Sequence, residues 1–357
     1  MRGYRPDGGA LDEARAAGPA ARPPGAKPPC PRRPARLYAA RMNTDSRRTA
    51  DRFPPGLTML RTVRRTAEGR AWLARLPELV RAAEERWGLR LGAPYDGGSC
   101  AWVAPAELPD GTPAVLKVGL PHREADGEAP ALRAWAGAGA VRLLDHDPAL
   151  GALLIERCTP GTPLGAAPLP PERRLTLAAE VLRGLWAAPR PADGGPEPMT
   201  AVCDEWAALA EERAARLRTG YDPGLVALGA RLLRTLPRDA RRTAVVHGDA
   251  NPGNVLAARR RPWLAIDPKP MTGDPAYDPW PLLMQIDDPF AHRDPGPVLH
   301  ARAALLGDAL DEDPARLLAW AAARGVESAL HEAAHGAVAG GAEELRRARV
   351  AADLAGC

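Results

Sequence analysis

The stretch HGDANPGN, His247 to Asn254, and the closely following WLAIDPKP, Trp263 to Pro270, decide the reading of this chain. They place one aspartate five residues before an asparagine, and a second aspartate eighteen residues after the first. Phosphoryl transfer from a nucleotide needs little covalent help and much positioning: a group that orients the acceptor, oxygen ligands for a metal on the phosphates, and a cation. D-x-x-x-x-N supplies an orienting carboxylate, Asp249, and a side-chain oxygen, Asn254, from a single loop. Asp249 follows the apolar run AVV and Asp267 follows WLAI, so both lie where strands end and side chains become accessible. A hairpin between them sets Asp267 beside Asn254, and two hard oxygen ligands suit Mg²⁺. Taken singly, either aspartate could equally be a turn former or a helix cap.

Upstream the texture fits such a centre. Leu57 to Leu91 shows helical spacing and reads as two short helices. YDGGSCAWVAP and GTPAVLKVGL read as strands joined by a turn, HREADGEAPALRAWAGAG as a helix, and AVRLLDHD and GALLIERC as further strands. From Pro170 onward the pattern is mainly helical, interrupted by the strands around the two opening stretches. The expected fold class is α+β and bilobal, with a small sheet-rich N-lobe over 58–157 and a larger helical C-lobe over 158–357, separated by a cleft.

Residues 1–57 are rich in Pro, Arg, Ala and Gly, offer little to bury, and read as a disordered tail. The true start is expected at Met42 or Met59. Residues 1–41 carry nine basic groups against three acidic ones, a net of +6, so the overall +4 leaves −2 for the rest. A basic balance confined to a tail argues against a nucleic-acid-binding body. No apolar run is long enough to cross a bilayer, and the N-terminus lacks a secretory signal, so a cytoplasmic location is expected. The five cysteines, Cys30, Cys100, Cys158, Cys203 and Cys357, are scattered and read as free thiols.

HGDANPGNVL…PWLAIDPKPMTGDPAYDPWPLL resembles the streptomycin 6-kinase branch of the aminoglycoside phosphotransferases, which is grouped with hydroxyurea phosphotransferase. GGSCAWVAPAELPDGTPAVLKVGLPHREADGEAPALRAW, in the first lobe, resembles the same branch. The resemblance implies a protein-kinase-like fold, the cofactors ATP and Mg²⁺, and transfer to a hydroxyl of a small-molecule aminoglycoside, the 6-hydroxyl of streptomycin, by a monomer; the alternative within the branch is a kinase of hydroxyurea or another small molecule. It implies that Asp249 is the catalytic aspartate and that Asn254 and Asp267 hold the metal. Lys117 would contact the phosphates, paired with Glu128 in preference to Glu124, two acids read as one helical turn apart on the same face. Gly97, Gly98 and Ser99 would form a phosphate loop, and Glu156 to Cys158 a hinge whose backbone meets adenine. Asp274 and Asp278 would brace the catalytic loop.

Two features depart from the pattern or compete with it. Ala250 and Asn251 stand where the branch carries leucine and histidine, which bears on loop packing and not on metal binding. Lys269 lies on the side of the metal aspartate if the strand continues, within reach of phosphate or acceptor. Guanidinium groups on the acceptor call for an acidic pocket, with Glu327, Asp287, Asp288 and Glu332 as candidates. HEAAH, His331 to His335, matches the zinc-protease pattern, yet Val338 stands where the extended motif needs glycine, and surface histidines are the expected reading.

Overall fold

A computed structural model describes residues 52–191 and 195–357. The expectation of disorder before residue 52 lies outside these residues. From 52 to 57 the chain departs from that expectation. Arg52 forms a two-pronged pair with Glu84, its carbonyl accepts from Trp102 Nε1, Phe53 tilts against Trp102 and Leu57 is buried. These side chains are the apolar and charged exceptions at the end of a Pro/Arg/Ala-rich stretch, and they close the edge of the first core.

The chain then forms α1 (Thr58–Val63), α2 (Ala67–Trp87), β1 (Arg90–Leu91), β2 (Ala101–Glu107) and β3 (Pro113–Gly119). α2 is a 21-residue helix, longer than its sequence spacing suggests. The Thr66 side chain accepts from Gly69 N to start it, and Gly88, at φ +62°, ends it. After α3 (Arg123–Asp126) and α4 (Glu128–Trp135) come β4 (Leu143–Asp147) and β5 (Ala152–Glu156). These strands make one antiparallel sheet in the order β1-β2-β3-β5-β4.

Period-two alternation sorts the sheet's side chains between two cores. Ala114, Leu116 and Val118 of β3, with Ala152 and Leu154 of β5, pack with α1 and α2. Val115, Leu153 and Ile155 face the other way, into a large core shared with α4 and the helices that follow. Lys117 has the parity of Val115, so the alternation turns it toward the helical part. We place the division between the lobes after β5.

The second part contains α5 (Pro171–Trp186), α6 (Met199–Leu217), α7 (Pro223–Thr235), β6 (Ala244–Val246), β7 (Val255–Ala257), β8 (Trp263–Ala265) and β9 (Met271–Gly273). Then follow α8 (Trp280–Gln285), α9 (Pro295–Leu310), α10 (Pro314–Ala334) and α11 (Val338–Ala355). α7, α9 and α10 share one start signal: Asp222, Asp294 and Asp313 each cap a backbone N–H two residues on, and proline occupies the first helical position. No described helix is long and apolar enough to cross a membrane.

β7 and β8 form the expected hairpin, Val255 opposite Ala265, whereas β6 pairs instead with β9, Val246 opposite Met271. β9 is a three-residue strand, too short to show alternation in the sequence. The two ladders hold the segment 247–254 between them. There Gly248 adopts φ +80°, and a Cβ on it would stand 1.8 Å from the Lys269 carbonyl oxygen. Only glycine fits that approach. Gly248→Ala is expected to lower stability by about 3 kcal/mol. Urea unfolding that finds the variant within about 0.5 kcal/mol of the parent would show that the turn can relax.

Candidate active site

The turn after β6 carries the first aspartate. Asp278, almost wholly buried, holds it from behind: its carboxylate accepts from His247 N at 2.9 Å, Gly248 N at 2.8 Å and Trp186 Nε1 at 2.9 Å. Burial pushes the Asp278 carboxyl above its ordinary range, against the pull of His247 and these donors. The His247 ring lies parallel to Trp135, with Nε2 on the Ile266 carbonyl at 3.0 Å and Nδ1 accepting from Asp249 N at 3.2 Å. That pairing assigns a neutral ring protonated on Nε2, and burial lowers its pKa in the same sense. Asp274 does something different from the expected bracing of the catalytic loop. Its carboxylate takes donors from Ala276 N, Arg316 and Trp320, tying the segment after β9 to α10. A wholly buried carboxylate needs several donors, and these are the ones α10 presents.

Asn251 orders the remainder of the turn. Its Oδ1 accepts from Gly253 N and Asn254 N at 2.9 and 3.1 Å, and its Nδ2 donates to Asp249 Oδ1 at 3.0 Å. Asn254 Nδ2 donates to the Asp249 carbonyl at 3.0 Å. The asparagine that departs from the family pattern therefore links Asp249 to Asn254. Asparagine before Pro-Gly is a turn signal, and it could have identified this residue.

Asp267 enters from the hairpin. Ile266 N donates to the Asn254 carbonyl, which sets the two residues side by side, and Asp267 then leaves the strand at φ +53°. The strand does not continue to Lys269, the condition on which its expected direction depended; Lys269 N bonds to the His247 carbonyl at the entry to β9. Its ammonium lies 3.2 Å from Asp249 Oδ2, and the nearby carboxylates, Asp249 foremost, outweigh burial and raise its pKa.

Across the cleft, Lys117 Nζ meets Glu128 Oε1 and Oε2 at 2.8 and 2.6 Å and Asp267 Oδ1 at 2.5 Å. Burial opposes its charge, but the two carboxylates prevail and its pKa is raised; Lys117 in turn holds Asp267 below the ordinary range despite burial. Glu128 is raised, because burial outweighs Lys117 there. Glu124 does not share the face of Glu128. The expected single helix breaks at Gly127, whose Cα sits against Pro270, and this leaves Glu124 about half exposed with His122 Nε2 at 4.0 Å.

The other sequence candidates divide. Gly97 and Gly98, at φ +137° and +69°, lie with Ser99 in the open loop between β1 and β2, whose Val103 pairs with Lys117. The Glu156 carboxylate is committed to Arg260 and to Arg142 N, and the Glu156 N–H donates to the Arg142 carbonyl. Burial pushes the Cys158 thiol up to about 12. Three carboxylates of the expected acidic wall are paired with arginines. Asp287 is bonded to Arg174 at 2.5 Å, Asp288 to Arg347 at 3.0 Å, and buried Glu327 to Arg324 at 3.0 Å with Arg213 at 3.6 Å. Carboxylates among arginine-rich helices are neutralised where they pack. Arg324 itself lies 4.0 Å from the ring centre of Trp206 and 5.6 Å from that of Trp280. His331, Glu332 and His335 are exposed, and among the described residues no three His, Cys, Asp or Glu side chains converge to hold a metal ion.

Glu128→Ala strands the Lys117 ammonium with one partner in a buried position and is expected to cost about 3 kcal/mol. Glu124→Ala is expected within about 0.5 kcal/mol of the parent. Chemical denaturation of both variants checks this, and equal losses would contradict the assigned pair.

Residues 86–336 match the family described as aminoglycoside/hydroxyurea antibiotic resistance kinase. The chain is 38% identical over 283 residues to a streptomycin 6-kinase of Streptomyces glaucescens, covering 76% of this chain and 88% of that one. It is 36% identical over 293 residues to a hydroxyurea phosphotransferase of Kitasatospora aureofaciens, covering 81% and 83%. A crystal structure of macrolide 2'-phosphotransferase from Brachybacterium faecium superposes with a TM-score of 0.52 at 18% identity, covering 79% of this chain and 98% of that one. That likeness shows the protein-kinase-like fold. With the family shown by sequence and the fold by structure, the chain belongs to the aminoglycoside/hydroxyurea antibiotic resistance kinases and is a phosphotransferase acting on a hydroxyl group.

Proposed function

We propose that the protein transfers the γ-phosphoryl group of ATP to a hydroxyl of an aminoglycoside, the 6-hydroxyl of streptomycin. The observation that supports this most is the meeting of Lys117, Asp267, Asn254 and Asp249 around one cleft, drawn from a sheet, a hairpin and a turn. The similarity to the streptomycin 6-kinase of Streptomyces glaucescens supports the acceptor.

In this reading Lys117 contacts the phosphates of the nucleotide, and Glu128 holds its ammonium in place. Gly97, Gly98 and Ser99 cover the phosphates, and backbone groups between Glu156 and Cys158 meet the adenine. The donor set fits Mg²⁺. Asn254 Nδ2 is committed to the Asp249 carbonyl, so Oδ1 remains for a cation, and Asp267 offers the oxygen that Lys117 does not take. Mg²⁺, when bound there, neutralises charge on the β- and γ-phosphates.

Asp249 accepts the acceptor hydroxyl as a hydrogen bond and aligns its oxygen with the γ-phosphorus. As the new O–P bond forms, the bond to the β,γ-bridging oxygen breaks, ADP leaves with the electron pair, and the hydroxyl proton passes late to Asp249. An added phosphate places negative charge on a ligand that binds RNA through its cations, which accounts for inactivation. One chain supplies every group named, so a monomer in the ATP-containing cytoplasm suffices.

The test is mass spectrometry of streptomycin, and separately of hydroxyurea, after incubation with protein, ATP and Mg²⁺. Streptomycin is expected to gain one phosphate with the parent protein. Asp249→Asn is expected to lower the rate by at least about 1000-fold while ATP affinity stays within about threefold. Phosphorylated hydroxyurea with unchanged streptomycin would transfer the assignment to the smaller acceptor.

A further inference from the structure

We propose that Lys269 is a further catalytic residue: held on Asp249, its ammonium meets the phosphoryl group as that group passes to the acceptor oxygen. This rests on the phosphotransferase reading above and adds a second cation to its centre.

The position is built rather than incidental. Lys269 N donates to the His247 carbonyl at 2.8 Å, and its own carbonyl lies so close to Gly248 that no side chain fits between them. Pro268 precedes it, and Pro270 follows it and packs against Gly127 at the α3–α4 break. The backbone of Lys269 is thus fixed by the same turn that carries Asp249, and its side chain spans the short gap to Asp249 Oδ2 at 3.2 Å. The opposite carboxylate oxygen is held by Asn251.

The two lysines of the cleft differ in what they have left to give. Lys117 is bonded to three carboxylate oxygens, so it meets a phosphate only by sharing one of its three N–H donors with them. Lys269 has one carboxylate contact, and its side chain is 45% exposed, so donors remain beside the aspartate on the acceptor side. In a loose transition state, charge spreads over the equatorial oxygens of the group in transit, and a fixed ammonium at that point lowers the barrier. A lysine whose task was to bind the acceptor would repel a guanidinium-bearing one, whereas phosphoryl oxygens attract it. During transfer Lys269 keeps its proton and donates hydrogen bonds; the acceptor proton goes to Asp249.

The experiment compares the parent with Lys269→Met and Lys269→Arg, reading kcat, the KM values for ATP and acceptor, and thermal stability. For methionine, kcat is expected to fall about 100-fold, with KM for ATP and the melting temperature nearly unchanged. Arginine is expected to recover about tenfold of that loss, since it restores the charge with different geometry. A methionine variant within about threefold of the parent kcat overturns the proposal. So does a loss carried entirely by KM for ATP, which marks ground-state binding alone. ATP hydrolysis by water, measured without acceptor, is read in parallel. If the parent phosphorylates no aminoglycoside, the acceptor reading falls. Lys269 is then judged on hydrolysis alone, by the same ratio between variants.

Discussion

One ammonium joins the parts of this molecule. Lys117 stands on a strand of the sheet, Glu128 opens the helix behind it, and Asp267 arrives from a hairpin 150 residues later. None of the three tolerates burial alone, since a charge removed from water must be paired. Their mutual dependence fixes the distance between sheet and hairpin. Every other group of the cleft is positioned relative to that contact: Asn254 by the hairpin's first strand, and Asp249 by the turn leading into it.

The turn is governed by a second constraint, which is backbone rather than charge. Gly248 passes against the Lys269 carbonyl, Asp278 gathers the successive N–H groups of His247 and Gly248, and a neutral His247 links Asp249 to the hairpin. This buried framework leaves the Asp249 carboxylate pinned by side chains alone, Asn251 on one oxygen and Lys269 on the other. A carboxylate held in this way, with its backbone fixed, needs little reorganisation to orient a hydroxyl, which is where enzymes gain most of their electrostatic advantage.

The sequence carried the chemistry further than the architecture around it. The grouping of Asp249, Asn254, Asp267 and Lys117 was legible because Lys117 lies within an apolar run, each aspartate follows one and Asn254 completes D-x-x-x-x-N, and the pairing of Glu128 because its helix resembles a family element. The break at Gly127 was not legible: glycine within a helical pattern is tolerated often enough to be read through, and Pro270, the neighbour it packs against, is distant in sequence. β9 left no alternation to detect, and without β9 the direction of Lys269 could not be assigned. The partners of the acidic candidates were hidden for a related reason. Composition reports Asp287, Asp288 and Glu327 as carboxylates, but only packing reveals the arginines that neutralise them. At the N-terminal boundary, Arg52, Phe53 and Leu57 were absorbed into a tail by average composition, although each has a specific partner.

The central claim is that Asp267 joins Lys117 to a metal-bound nucleotide, and calorimetric titration of ATP with and without Mg²⁺ tests it directly in the parent and in Asp267→Ala. The account expects Mg²⁺ to tighten ATP binding to the parent by at least about tenfold and to have little effect on the variant. An equal Mg²⁺ effect in both proteins would contradict it and remove Asp267 from the metal site.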